Sequence, residues 1–272
     1  MTGHTAAFID DAFRLADAAG ATAGVAVRLV APGDLASVVG LFERTWGVGR
    51  SPDASMLQAL DHAGNTVLIA TDATSRRGAG PVGATLGFLG WSGGTHLHSH
   101  MNAVVPWRRS GGVGYALKLF QRAICLQNGV DEMRWTFDPL IRRNAHFNLV
   151  KLGAEVTHFW PDFYGRLDDT ITGSDRSDRF EVRWRLASER TVRAVTGQPQ
   201  PEWNADDRLE LDADFETLRA ENVDVAARLR EESRRLFGEL MERGLRPELD
   251  GENDYVFTAD DVDRRADHGG SP

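Results

Sequence analysis

Apolar residues recur at helical spacing near the start of the chain. Phe8, Ile9, Ala12, Phe13, Leu15 and Ala16 share one broad face before Gly20, which predicts an N-terminal helix stopped at that glycine. Residues 25–30 then read as a strand. Pro32, Gly33 and Asp34 open a helix faced by Leu35, Val38, Val39, Leu41 and Phe42, and a shorter helix over 53–62 carries Met56, Leu57 and Leu60. Three apolar runs follow at 66–71, 82–91 and 96–105. Short breaks rich in Gly, Pro, Ser and Asp separate them, so they predict an antiparallel meander. A helix opening at Gly111 to Gly114 presents Leu117, Phe120, Ile124 and Leu126, ends at Asn128 and Gly129, and returns the chain for a strand at 133–137 parallel to the preceding one. Residues 142–152 read as a helix stopped by Gly153, and 155–159 and 180–186 as strands.

Composition shifts near Ala187, and Gly197, Gln198, Pro199, Gln200 and Pro201 resemble a linker. The expected division is therefore an N-terminal helix over 1–22, a main domain over 23–188, a C-terminal α+β extension over 189–258 and a disordered tail over 259–272. In the extension, 209–211 reads as a strand. Val225, Leu229, Leu236, Phe237 and Leu240 form a helical stripe that packs into a core or pairs two copies in a homodimer, and 255–258 is a strand. The fold class is α/β (α+β), with a mixed, mostly antiparallel sheet flanked by helices.

Composition narrows the function classes. The 272 residues are 42% hydrophobic and 26% charged, ordinary for a globular chain. With 31 Lys and Arg against 40 Asp and Glu, the net charge of −9 opposes non-specific binding to nucleic acid or to anionic membrane surfaces. The lone Cys125 forms no internal disulfide, and no stretch has the length of a membrane span, so a cytoplasmic protein is expected.

The strongest chemistry lies in Arg108, Arg109, Ser110, Gly111, Gly112, Val113 and Gly114, between a strand and a helix. There the free N–H groups of a helix start hold anions, and paired arginines add contacts suited to a pyrophosphate. A plain glycine-rich turn is the alternative. No Lys followed by Ser or Thr completes a Walker loop, and Leu117 stands where a dinucleotide fingerprint has its third glycine.

With the order β-α-α-β-β-β, then Arg109, Gly112 and Gly114, then α-β-α-β-β, the chain resembles the GNAT superfamily of acyl-CoA-dependent N-acyltransferases over about residues 23–186. His98-Ser-His-Met101, Trp135-Thr-Phe-Asp-Pro-Leu140, Arg143-Asn-Ala-His-Phe-Asn148, Lys151-Leu-Gly153 and Phe163-Tyr-Gly165 look like one subgroup of predicted acyltransferases, as does the segment 214–244 with Tyr255-Val-Phe257. The resemblance implies an enzyme moving an acetyl or succinyl group from acyl-CoA to a primary amine, such as that of an amino acid, without a metal. It also implies a cleft where the fourth and fifth strands splay, with Val104 and Val105 offering backbone bonds to pantetheine and residues 108–114 holding the pyrophosphate. Leu149 stands where the family often has a tyrosine as acid.

His96, His98 and His100 alternate along one strand, so their side chains share a face. His98 and His100 are candidate bases. The same three are candidate zinc ligands for a metal-dependent hydrolase if His146 or His158 supplies another, or they are hydrogen-bonded structural groups. Asp138 is a candidate to orient or deprotonate the amine, or else a turn former before Pro139. Asn144 and Asn148, four apart on a helix, are candidates for the pantetheine amides, or surface groups. Tyr164 is the remaining candidate acid, or a packed aromatic. A non-catalytic acyl-CoA-binding module is the alternative to an enzyme.

Overall fold

The computed structural model describes residues 4–74, 80–165 and 175–265. The chain divides into two compact units, one ending at Met133 and the other beginning at Arg134.

In the first unit, α1 (Ala6–Thr22) starts where the Thr5 hydroxyl accepts the Phe8 N–H at 3.3 Å. It runs through Gly20 rather than stopping there, and that glycine serves close packing: it is buried, and a Cβ would lie 3.0 Å from the Val25 carbonyl oxygen. β1 (Val25–Leu29) follows. The Asp34 carboxylate accepts the Ala31 N–H and the Arg28 guanidinium, fixing the turn into α2 (Leu35–Trp46), and Asp53 caps α3 (Ala54–His62). β2 (Thr66–Asp72), β3 (Gly83–Gly90) and β4 (His96–Val104) form the expected antiparallel meander, in the order β1-β2-β3-β4. Thr66 to Ala70 are all buried, and since successive strand residues point to opposite faces, both faces of β2 are covered. α4 (Val113–Gln127) packs closely on the meander: a Cβ at Gly83 would lie 2.8 Å from Val113 Cγ1.

β5 (Glu132–Phe137) leads into the second unit, where strand order is β5-β7-β6. The helix expected over 142–152 is instead α5 (Arg142–Ala145) followed by a π-wound turn (His146–Lys151). The wider winding removes the four-residue stacking expected of Asn144 and Asn148. β6 (Glu155–Trp160) and β7 (Arg179–Arg185) pair antiparallel. Next come α6 (Glu189–Val195), β8 (Asp207–Leu209), α7 (Phe215–Glu221), α8 (Val223–Glu242), β9 (Arg246–Leu249) and β10 (Tyr255–Thr258). The last three strands form a small antiparallel sheet in the order β8-β10-β9. The 209–211 strand is thus displaced to 207–209, and β9, which carries Pro247, went unread in the sequence.

The boundary expected near Ala187 is not where the chain divides. Buried Arg190 donates to the Gly153 and Ala154 carbonyl oxygens and bidentately to Glu248, while Phe180 of β7 packs against Phe237 of α8 and Tyr255 of β10. The segment after 187 therefore shares a core with β6 and β7. Phe237 and Leu240 of the apolar stripe are buried in that core, and their burial needs no second copy. The expected tail is tied down as far as described: Asp263 takes both Arg185 nitrogens at 2.9 Å, and Arg265 pairs with Glu189. Residues 266–272 lie outside the described residues. None of the described helices is long and apolar enough to cross a membrane.

Candidate functional site

The segment joining β4 to α4 exposes backbone donors. Pro106, Trp107 and Arg108 form a 3-10 turn, closed by Arg108 N–H to the Val105 oxygen at 3.0 Å and Arg109 N–H to the Pro106 oxygen at 3.3 Å. Ser110 (φ 62°) and Gly112 (φ 84°) take left-handed conformations, the kind from which concave backbone nests are built. Gly112 supplies its conformation without the strain a side chain would bring, and it is the N-cap of α4 without a side-chain cap. Among the described residues, the N–H groups of Ser110, Gly112, Val113 and Gly114 have no acceptor. They lie at the positive end of a fifteen-residue helix, where an anion is stabilised.

The two arginines differ. Arg109 is exposed and forms no ion pair among the described residues. Arg108 instead turns inward, donating to the Ala23 oxygen at 2.7 Å and pairing with Asp72 at 3.0 Å. Its charge anchors the turn and is not offered to a pyrophosphate, which corrects the expectation for it. Val105 is corrected too, since its N–H is spent on the Val82 oxygen at 2.9 Å. Antiparallel alternation directs the Val104 N–H and carbonyl away from β3, as a backbone partner for pantetheine requires.

On β4, His98 and His100 share a face with Phe88 of β3, with ring centroids 5.3 and 5.8 Å from that phenyl and 5.9 Å from each other. Surrounding protein holds the His100 imidazole below its ordinary pKa, so its proton-accepting form prevails near neutrality. His96 stands apart. It is buried, its Nδ1 donates to the Gly94 oxygen at 2.8 Å, and a Cβ on Gly90 would come within 2.6 Å of its Nε2. His96 is therefore a hydrogen-bonded structural group, and the three-histidine zinc set loses a member. In the second unit, His146 Nδ1 lies 2.5 Å from Asn253 Oδ1, and His158 stacks on Trp160.

The second-unit candidates divide as well. Both Asp138 oxygens accept from Arg230, at 2.7 and 2.8 Å, and one also accepts the Leu140 N–H. Burial raises the Asp138 pKa, but Arg230 outweighs it and keeps the carboxyl below its ordinary range. The group is a turn former and ion-pair partner, in a poor state to take a proton. Asn148 is buried and accepts the Trp135 indole N–H at 3.1 Å, so it belongs to the core rather than to pantetheine. Asn144 is half-buried on α5. The Tyr164 phenol is exposed, 3.3 Å from the Thr136 hydroxyl, with the Arg179 guanidinium over its ring.

A buried polar chain beneath β4 went unread in the sequence. Lys118 Nζ donates to Ser99 Oγ, Ser99 to Gln121 Oε1, and Gln121 to Thr66 Oγ1. A polar residue every third or fourth position along α4, facing the core, was its signal. Burial pushes Lys118 from 10.5 down to about 7, so the unfolded chain binds the extra proton between those values and stability rises with pH across that window. Lys118→Met should flatten that rise, as read by thermal unfolding from pH 7 to 10. An unchanged slope would remove Lys118 as its cause.

No family model and no curated protein matches the chain. Among solved structures it is similar to Ard1 from Thermoplasma volcanium, at 18% identity over 59% of this chain and 96% of that one, with a TM-score of 0.44. It is also similar to Naa50 from Arabidopsis thaliana in complex with the bisubstrate analogue CoA-Ac-MVNAL (20% identity, 59% and 97% covered, TM-score 0.46). A third is the ribosomal-protein-S18-alanine N-acetyltransferase from Escherichia coli (12%, 60% and 94%, TM-score 0.47). At these scores nothing about activity or site residues passes from them to this chain.

Proposed function

We propose that this protein is a GNAT-type N-acyltransferase that moves an acetyl or succinyl group from acyl-CoA to a primary amine, with an amino acid as the acceptor class. The observation that supports it best is the set of N–H groups of Ser110, Gly112, Val113 and Gly114 at the start of α4, without acceptors among the described residues, with Arg109 exposed beside it. Such a cradle suits the doubly charged pyrophosphate of CoA, and the outward backbone of Val104 suits an amide-bearing arm.

In this reading the amine attacks the thioester directly, with proximity supplying much of the rate. An ammonium must first lose a proton, and His98 and His100 are the groups we assign to receive it, directly or through water. His100 is held largely neutral near pH 7. Asp138, committed to Arg230, fixes the end of β5 instead of carrying a proton.

His98→Ala combined with His100→Ala should slow transfer by about 100-fold or more, the usual contribution of a positioned base, with CoA affinity little changed. With chemistry limiting, the native rate should rise with pH through a value below 6.5 and then level, because the neutral imidazole is the active form. Near-native turnover in the double variant, or a flat profile from pH 5.5 to 8, would remove both from the chemistry. The reading as a whole is tested by release of free CoA thiol from acetyl-CoA and succinyl-CoA against a panel of amines. Tight CoA binding with no turnover on any amine would instead describe a binding module.

A further inference from the structure

Trp107 is 77% exposed, and its ring has no hydrogen bond, aromatic neighbour or cation–π partner among the described residues. It does not sit on a loose loop. Pro106 restricts the backbone on one side, the 3-10 turn is closed by two backbone hydrogen bonds, and the next residue, Arg108, is bolted to Ala23 and Asp72. A large apolar surface is thus held out in water by a turn that Arg108 ties to Ala23 and Asp72. Five residues further on, Gly112 opens the backbone cradle. Even a fully extended chain would put the two within about 18 Å, and the Gly111 N–H to Arg108 oxygen bond draws them closer.

A ligand that gains from both features carries phosphate at one end and a flat π-face at the other, which describes a nucleotide. We infer that Trp107 is the stacking platform for the purine base of the co-substrate, with Arg109 and the Ser110 to Gly114 backbone taking the adjoining phosphates. The inference rests on the acyl-CoA reading above and deepens it by assigning the nucleoside end of the molecule. A rigid turn makes the platform effective, since little side-chain and backbone freedom remains to be lost on binding. The ring is assigned to the nucleoside end of the co-substrate and not to the thioester, so its contribution belongs to binding and not to the chemical step.

The test compares CoA with 4′-phosphopantetheine, which has the pantetheine arm and a phosphate but no adenosine. In calorimetric titrations, Trp107→Ala should weaken CoA about tenfold or more, as loss of an aromatic–base stack does, and leave 4′-phosphopantetheine within twofold of the native protein. Trp107→Phe should recover most of the loss, because a phenyl face still stacks. CoA should also quench tryptophan emission in the native chain and much less in Trp107→Phe. Undiminished CoA affinity in Trp107→Ala, or an equal loss for both ligands, would overturn the stacking role while leaving CoA binding in place. Failure of the native protein to bind CoA at all would overturn the acyl-CoA reading and this inference with it.

Discussion

Gly114→Glu should lower CoA affinity at least 100-fold while leaving thermal unfolding close to that of the native chain. The two outcomes separate because Gly114 lies inside α4 without a left-handed φ, and a Cβ there would sit 3.7 Å from Asn102 Nδ2 and Val104 Cγ2, at ordinary contact distance. The backbone accepts a side chain. What changes is the cradle, where a carboxylate brings bulk and negative charge to the place proposed for a pyrophosphate. Gly112→Glu is the poorer test, since φ 84° would add strain to the electrostatic effect. Arg109→Ala should do less than Gly114→Glu, removing charge-assisted contacts of about 1.5–3 kcal/mol while the backbone donors remain. Paired titrations of these variants with CoA give the order. An arginine effect larger than the glycine effect would point to a diffuse basic patch in place of a backbone cradle.

Arg230→Ala should be the most damaging substitution for stability, by about 3–5 kcal/mol, the usual loss when one partner of a buried ion pair is removed. Arg230 is 1% exposed and donates to both Asp138 oxygens and to Asp175 at 2.7 Å. Without it, Asp138 is a buried carboxylate whose main compensating charge is gone. Because Arg230 depresses the Asp138 pKa, the stabilisation it gives is present above the ordinary carboxylate range and fades as pH falls through the depressed value. The gap between native and variant melting temperatures should therefore be wide at neutral pH and narrow as pH falls below 3.8 toward the depressed value. Adding Asp138→Asn, which removes the stranded charge, should recover part of the loss. A variant as stable as the native chain at pH 7 would show that the pair contributes no net stability.

Elements with strong local signals were legible in the sequence. The meander of β2, β3 and β4 stands within a residue or so of its expected bounds, and α4 starts at the expected glycines. Interactions between distant segments were not. Nothing local tells that Arg190 would reach Glu248, or Arg230 reach Asp138, so the compositional break at 187 read as a boundary although the chain on both sides builds one core. The π winding over His146–Lys151 escaped for a related reason: apolar spacing fits an α-helix and a π-turn nearly equally over six residues. For the site, residue type and spacing located the cradle but not the direction of each side chain. Arg108 and Arg109 look alike in the sequence, and only the contacts to Ala23 and Asp72 separate the anchored arginine from the exposed one. The histidines show the same limit, since alternation put three on one face and the turn at Gly94 claimed one of them.

Calorimetric titration of the unaltered chain with CoA is the most direct measurement of the central claim, that the open backbone at the start of α4 holds the pyrophosphate of an acyl carrier. The account expects saturable binding at one site per chain, competed by inorganic pyrophosphate and by ADP and lost in Gly114→Glu. Absence of binding to a folded native chain, or CoA affinity unaltered in Gly114→Glu, would contradict it.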